Sequence, residues 1–201
     1  MNALDTMKVP DPAMFDDYDT GGWVPPPQAK HLNGTGKAES ITYTLTVPSA
    51  DSITFRPDKN GFLMAVIDGI EIDCGNGRAY STGKTYLSSA PFPKKDKSGA
   101  VIGTRNASSL GNFLRANGMQ ARPGTAHEYE TYTLATAGQQ IQATIEWEAY
   151  DSDRGVTVAD RWEQFPDDTV NPGQKQPFIE TDGEKRLWAR AVVRRFVDRV
   201  S

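Results

Sequence analysis

Alternation of apolar and polar residues marks the clearest elements of this chain as β-strands. Between residues 41 and 47 every second residue is apolar, and the residues between them are threonines. This period of two is typical of a strand with one buried face. The run 61–73 predicts a long, largely buried strand with a bulge at Gly69. The turn Gly75-Asn76-Gly77 then predicts a hairpin into a strand over 79–88.

Strand patterns return in the last third of the chain. Residues 140–150 alternate again, and the turn at 151–155 predicts a second hairpin with a strand over 156–165. A loop rich in Pro, Asp, Asn and Gly follows at 166–183. The closing segment 184–200 fits a helix or a strand, and its β-branched residues favour the strand.

One segment in the middle of the chain has helical spacing. Leu110, Phe113 and Leu114 predict a helix over 107–117, with Asn106 or Ser108 as N-cap. Gly118 suits the left-handed residue that follows a helix. Residues 1–38 show no period and contain three consecutive prolines, which predicts an extended or disordered arm. The remaining residues, 39–201, are expected to form a single domain.

The order of these elements predicts a mainly β fold. Strands, one short helix and further strands follow the order of an OB-fold, a closed or partly open barrel that here carries an elaborated hairpin. The 18 Gly and 13 Pro residues also suit many short strands joined by turns. A β-sandwich produces the same strand spacing and stays open as an alternative.

Charge is segregated along the chain. The net charge is -4 and the sequence pI is near 5.2, which argues against a protein that coats polyanions by bulk charge. Residues 84–122 nevertheless carry seven Lys or Arg against one Asp, and residues 183–201 carry six against two acidic residues. These two basic blocks can build a local anion-binding face, although a solvated surface with salt bridges explains them equally well.

Both basic blocks contain aromatic residues, and this combination favours single-stranded nucleic acid as the ligand. Such proteins hold the phosphates in a basic groove and stack the bases on aromatic rings. The sequence predicts phosphate contacts from Lys84, Lys94, Lys95, Lys97, Arg105, Arg190 and Arg194. It predicts stacking on Tyr86, Phe92 and Trp188. If the last segment is a strand, Trp188, Arg190 and Arg194 share one face.

Enzyme motifs do not emerge from the chain. Gly77 and Gly83-Lys84-Thr85 miss the spacing of a phosphate-binding P-loop by one residue. The two His and the single Cys74 form no nucleophile motif and no disulfide. Glu71 and Asp73 would share a strand face, so a magnesium-dependent nuclease stays a third hypothesis behind an exposed strand edge. We expect no enzyme, no cofactor and no metal.

Three stretches resemble phage-encoded single-stranded-DNA-binding proteins of replication and recombination modules. They are Phe15-Asp-Asp-Tyr18 with 22–27, then 109–118, and 145–151. The resemblance implies an OB-fold and single-stranded DNA, bound with low sequence specificity, as the partner. Proteins of that kind often recruit partners through an acidic C-terminal tail, whereas this sequence closes with the basic segment 194–201.

Cell location and the alternative function follow from the same sequence. No apolar run reaches the roughly 18 residues of a membrane span, and no signal-peptide pattern begins the chain. With one cysteine, this predicts a cytoplasmic protein, in the host cell if it is phage-encoded, without a membrane partner. The alternative is a structural or assembly protein of a virion. In either case, the arm 1–38 could join copies into a homo-oligomer.

Overall fold

A computed structural model describes residues 2–11, 41–73, 79–105, 107–151, 156–157, 178–181 and 185–197. Within these ranges, the chain is mainly β, with antiparallel strand pairs and two short α-helices. The elements are β1 Ile41–Thr46, β2 Ile53–Pro57, β3 Leu63–Asp68, β4 Glu71–Asp73, β5 Ala79–Ser81, β6 Lys84–Ser88, β7 Pro93–Lys95, β8 Val101–Thr104, α1 Ser109–Ala116, α2 Ala126–Leu134, β9 Gln140–Asp151, β10 Val156–Thr157, β11 Phe178–Thr181 and β12 Lys185–Val197.

The strands form three sheets. The largest has seven strands in the order β11-β12-β9-β1-β4-β5, and β10 also pairs with β9. A second sheet has the order β2-β3-β6, and β7 and β8 form a separate two-stranded hairpin. The described ladders do not close into a barrel. The mainly β class is therefore confirmed, but the OB-fold-like barrel is not.

The large sheet and the three-stranded sheet share one bent pair of strands. The predicted strand over 61–73 divides at Gly69, so that β3 belongs to the three-stranded sheet and β4 to the large one. Gly69 has a φ of +76°, a left-handed conformation that side chains disfavour. The returning strand divides opposite this point, and Thr82 N–H donates to the Ile70 carbonyl at 2.8 Å. The predicted hairpin between residues 61 and 88 thus exists, but each of its strands crosses from one sheet to the other.

Helix α1 packs in the core between the sheets. Phe113 and Leu114 are fully buried, and α1 contacts both β6 and β12. Ser108 is the N-cap, because its hydroxyl accepts from Gly111 N–H at 3.0 Å. Gly118 follows the helix with a φ of +73°. The predicted helix over 107–117 and its C-terminal glycine are therefore confirmed.

Helix α2 corrects the prediction of a single helix. Thr125 caps it by accepting from Glu128 N–H at 3.2 Å, and the Glu128 carboxylate accepts from Thr125 N–H at 2.9 Å. Ala126, Tyr129 and Thr133 are its buried residues. Its inward face is therefore only partly apolar, which explains why hydrophobic spacing did not reveal it.

The predicted arm and the last segments differ in part from expectation. Residues 2–11 are folded, with a 3₁₀ turn at Ala3–Thr6 whose Leu4 is buried, while 12–38 lie outside the described residues. Within the predicted loop 166–183, Phe178–Thr181 forms β11. The hairpin of β9 with β10 and the strand β12 agree with the predictions, and residues 158–165 lie outside the described part.

Candidate nucleic-acid interface

The outward face of the three-stranded sheet carries an exposed aromatic ring. Tyr86 on β6 is 51% exposed, whereas its neighbour Leu87 points into the core. Across the sheet, Tyr86 lies opposite Val66, which lies opposite Thr54. Val66 is buried without belonging to the central core cluster, so side chains on this outward face cover it. Tyr86 therefore stands on a small apolar base rather than alone on a polar surface.

Arg56 on β2 completes this face. Its guanidinium carbon lies 5.2 Å from the centre of the Tyr86 ring, within the range of a cation–π contact. The alternation in β2 explains the placement, because Ile53 is buried and Phe55 packs against the core, while Thr54 and Arg56 are exposed. We call Arg56, Tyr86 and Lys84 the platform. Arg56 was not among the predicted residues, although this short alternation could have identified it.

Lys84 lies on the same side of β6 as Tyr86, two residues earlier, and is exposed. Its Cα partner on β3 is Asp68, which is also exposed. Opposite charges at directly paired positions of an antiparallel ladder attract each other. The positive charge of Lys84 is therefore partly balanced, whereas Arg56 lies directly over the Tyr86 ring.

The hairpin of β7 and β8 carries the lysine cluster. Every residue of both strands is exposed, including Lys94 and Lys95, and Lys97 lies exposed in the turn between them. Val101 and Ile102 on β8 are 64% and 60% exposed. We call residues 93–104 the basic hairpin. Its two exposed aliphatic residues were not predicted, because an apolar pair in a sequence ordinarily indicates burial.

Asp96 holds the turn of the basic hairpin in shape. Its Oδ1 accepts from the Ser98 hydroxyl at 2.6 Å, from Ser98 N–H at 2.8 Å and from Ala100 N–H at 3.0 Å. The Ser98 hydroxyl, followed by the backbone N–H groups, lowers the pKa of Asp96. Asp96, the single acidic residue among these lysines, therefore stabilises the turn.

Phe92 and Arg105 form the base of the hairpin. Phe92 N–H donates to the Ala107 carbonyl at 2.8 Å, and Arg105 N–H donates to the Phe92 carbonyl at 2.7 Å. Both side chains are half-buried. These bonds join the hairpin to the segment that leads into α1. Phe92 is therefore less open to a stacking base than Tyr86.

The third group of predicted residues lies in β12. Trp188 pairs with Tyr150 on one side and Phe178 on the other, and Arg190 pairs with Glu148. The ladder shifts register between Val193 and Arg195, so Arg194 is the extra residue of a bulge. The strict alternation expected for β12 therefore ends at Val193.

The predicted residues thus lie on three elements. Lys84 and Tyr86 share one strand face, the three lysines share the basic hairpin with Arg105 at its base, and Trp188, Arg190 and Arg194 belong to the large sheet. The chain continues directly from β6 into the basic hairpin, whereas α1 contacts both β6 and β12.

The described residues were also searched for a metal site and for catalytic groups. They hold no group of three or more His, Cys, Asp or Glu that could bind a metal ion. Glu71 and Asp73 are exposed on β4, but β4 pairs with β1 and β5 and is not the strand edge that was expected. His127 is exposed, and its Nε2 lies 3.0 Å from Asp5 Oδ1.

Comparison with protein-family models, with characterised proteins and with solved structures gave no significant match. In the part of the chain that the structure describes, neither helix has the length and apolar character needed to cross a bilayer.

Proposed function

We propose that this chain binds single-stranded DNA without catalysing a reaction and with low sequence specificity. The observation that carries the proposal is the platform, where the Arg56 guanidinium stands 5.2 Å from the exposed ring of Tyr86. The setting in phage DNA replication or recombination, in the host-cell cytoplasm, rests on the resemblance of the sequence stretches given above.

The platform has the chemistry that a nucleobase needs. An exposed aromatic ring stacks on any base, because every base has a flat π-face. A planar guanidinium adds a positive charge that can itself stack or bind phosphate. Lys84, on the same face, supplies a second cation. A base on Tyr86 would therefore bring its neighbouring phosphates within reach of two positive charges.

The basic hairpin supports the same ligand by a different interaction. Lysines at 94, 95 and 97 are exposed on an element whose turn is fixed by Asp96. Contacts from lysine to phosphate are insensitive to sequence and weaken with salt, because counterions are released on binding. Stacking together with phosphate contacts favours a single strand, since duplex bases are already stacked on each other.

The test is a titration of the full chain with a fluorescein-labelled oligo-dT and with a duplex of equal length, followed by anisotropy at two salt concentrations. We expect preferential binding of oligo-dT, and log K falling linearly with log salt, with a slope of about 0.7 for each phosphate contact. A mixed-sequence single strand should bind within several-fold of oligo-dT. Equal affinity for duplex, or no binding, would overturn the proposal, and no binding would favour the virion assembly protein.

A further inference from the structure

Residues 2–10 are docked on the folded body by a buried side chain. Leu4 is 6% exposed and belongs to the core cluster, and Met7 and Val9 pack against that cluster. The 3₁₀ turn that carries Leu4 contacts α2 and β2. Asp5 in this turn meets His127 of α2 at 3.0 Å. We call residues 2–10 the plug and the surface that receives it the acceptor.

Backbone hydrogen bonds fix the position of the plug. Lys8 N–H donates to the Gly61 carbonyl at 2.8 Å, and Leu63 N–H donates to the Lys8 carbonyl at 2.9 Å. Leu63 is fully buried, so its N–H group needs a partner when the protein is folded. An empty acceptor would leave this donor unpaired and would expose the site of Leu4. The acceptor therefore has to be filled by a plug, but nothing in these contacts requires the plug of the same copy.

The chain between the plug and β1 is long. Residues 12–40 are 29 residues, and at about 3.3–3.6 Å per residue the step from Asp11 to Ile41 can span up to roughly 100 Å. A compact protein of 201 residues has a radius of gyration of only about 16 Å. The covalent connection therefore permits a plug to reach the acceptor of a neighbouring copy.

We propose that the plug exchanges between copies, so that residues 2–10 of one molecule occupy the acceptor of a second. The contacts are the same within one copy and between two copies, so exchange changes little besides chain entropy. Within one copy, the connection sets an effective concentration, and exchange becomes favourable as protein concentration approaches it. The exchange needs no nucleic acid and is independent of the proposed function.

The test uses two variants that report only on contacts between copies. In a Cys74→Ser background, Asp5→Cys protein is mixed with His127→Cys protein and treated with a short bismaleimide. In the control mixture, Gln142→Cys, an exposed position on β9, replaces His127→Cys. We expect the mixed covalent dimer to form several-fold faster with His127→Cys protein than with this control. Adding Leu4→Asp to the Asp5→Cys chain should reduce the rate to that of this control. A mixed dimer that forms no faster than the control would overturn the proposal.

One control verifies the variants, and one independent experiment needs no substitution. A single chain with both Asp5→Cys and His127→Cys should form the internal crosslink in dilute solution, which verifies that the plug still docks. The Lys8 ammonium donates to the Asn60 carbonyl at 3.4 Å, which brings it to the turn that contains Asp58. The unsubstituted protein can therefore be mixed with an isotope-labelled copy and coupled with a carbodiimide that joins Lys8 to a nearby carboxylate such as Asp58. Crosslinked peptides with mixed isotopes support exchange, and purely light or purely heavy pairs refute it.

Discussion

The ring of Phe113 on α1 contacts the ring of Phe196 on β12 in an edge-to-face arrangement, with centroids 5.3 Å apart and planes inclined at 69°. This contact fastens the helix to the last strand of the large sheet. The bulge at Arg194 makes it possible, because Val193 and Phe196 both pack against the core although they are three residues apart.

We expect Phe113→Ala to lower the free energy of unfolding by about 3–5 kcal/mol, because a fully buried ring leaves a cavity. Urea denaturation followed by circular dichroism measures this change. Phe113→Leu, which fills more of the space, should cost clearly less. In a double-mutant cycle with Phe196→Ala, the coupling should be about 0.5–1.5 kcal/mol. Strictly additive effects would show that the two rings do not interact.

At the platform, Tyr86→Ala should weaken oligo-dT binding by about 1–3 kcal/mol, the usual value of one stacked base. Tyr86→Phe keeps the ring and should bind nearly as well as the wild type. Arg56→Lys keeps the charge but loses the flat guanidinium, so it should bind more weakly. Anisotropy titrations measure these affinities. Lys59→Ala, at an exposed position in the turn after β2, is the control; a loss equal to that of Tyr86→Ala would contradict a specific platform.

In the basic hairpin, reversing the charge of Lys94 and Lys95 to Glu should lower the salt dependence of binding. Each lost phosphate contact should reduce the slope of log K against log salt by about 0.7. Stability should change by less than about 0.5 kcal/mol, because both side chains are exposed. Lys59→Glu reverses one lysine charge elsewhere and should leave the slope nearly unchanged. An unaltered slope in the hairpin variant would remove these lysines from the interface.

The plug adds a pH-dependent contribution to stability through His127 and Asp5. The hydrogen bond from the His127 ring to the Asp5 carboxylate, with a smaller effect from Glu130, raises the pKa of His127. The hydrogen bond with His127 lowers the pKa of Asp5. The stabilisation by His127 is therefore complete below its ordinary pKa and is lost as the pH rises through the raised value. The stabilisation by Asp5 is lost only in acid, as the pH falls through its lowered pKa.

Urea denaturation of the wild type and of His127→Gln measures this effect. The wild type should be the more stable protein at about pH 5.5, and the difference should shrink by about pH 8.5. In an NMR titration, Asp5→Asn should lower the pKa of His127, with His31→Gln protein used to assign the signals. A constant stability difference across this range would show that the ion pair does not contribute.

The sequence predicted those elements whose apolar spacing is regular. β1, α1 and the first part of β9, residues 141–145, belong to this group, because their buried residues follow a clear period. Helix α2 was missed because Thr133 takes a buried position that ordinarily holds an apolar residue. Its capping box, Thr125 with Glu128, was a readable signal. The short strand β2 was also not predicted. Because Arg56 lies on this strand, it was not included among the predicted binding residues.

Relationships between distant elements could not be predicted from local pattern. The division of the strand over 61–73 depends on which partner each half finds, and Gly69 indicated only that the backbone changes there. The lysines of the basic hairpin are exposed, and their role in binding stays a prediction. Their position on a hairpin of its own depends on the pairing of β7 with β8, which the local sequence does not indicate.

The bent pair of strands has a consequence for how the protein folds. Because β3 runs into β4 and β5 runs into β6, both of the larger sheets take strands from the same stretch of chain between residues 63 and 88. Neither sheet can be excised as an autonomous folding unit, since any cut that frees one removes strands from the other. The sheet that presents Tyr86 and the sheet that contains β1 should therefore melt together in one cooperative transition.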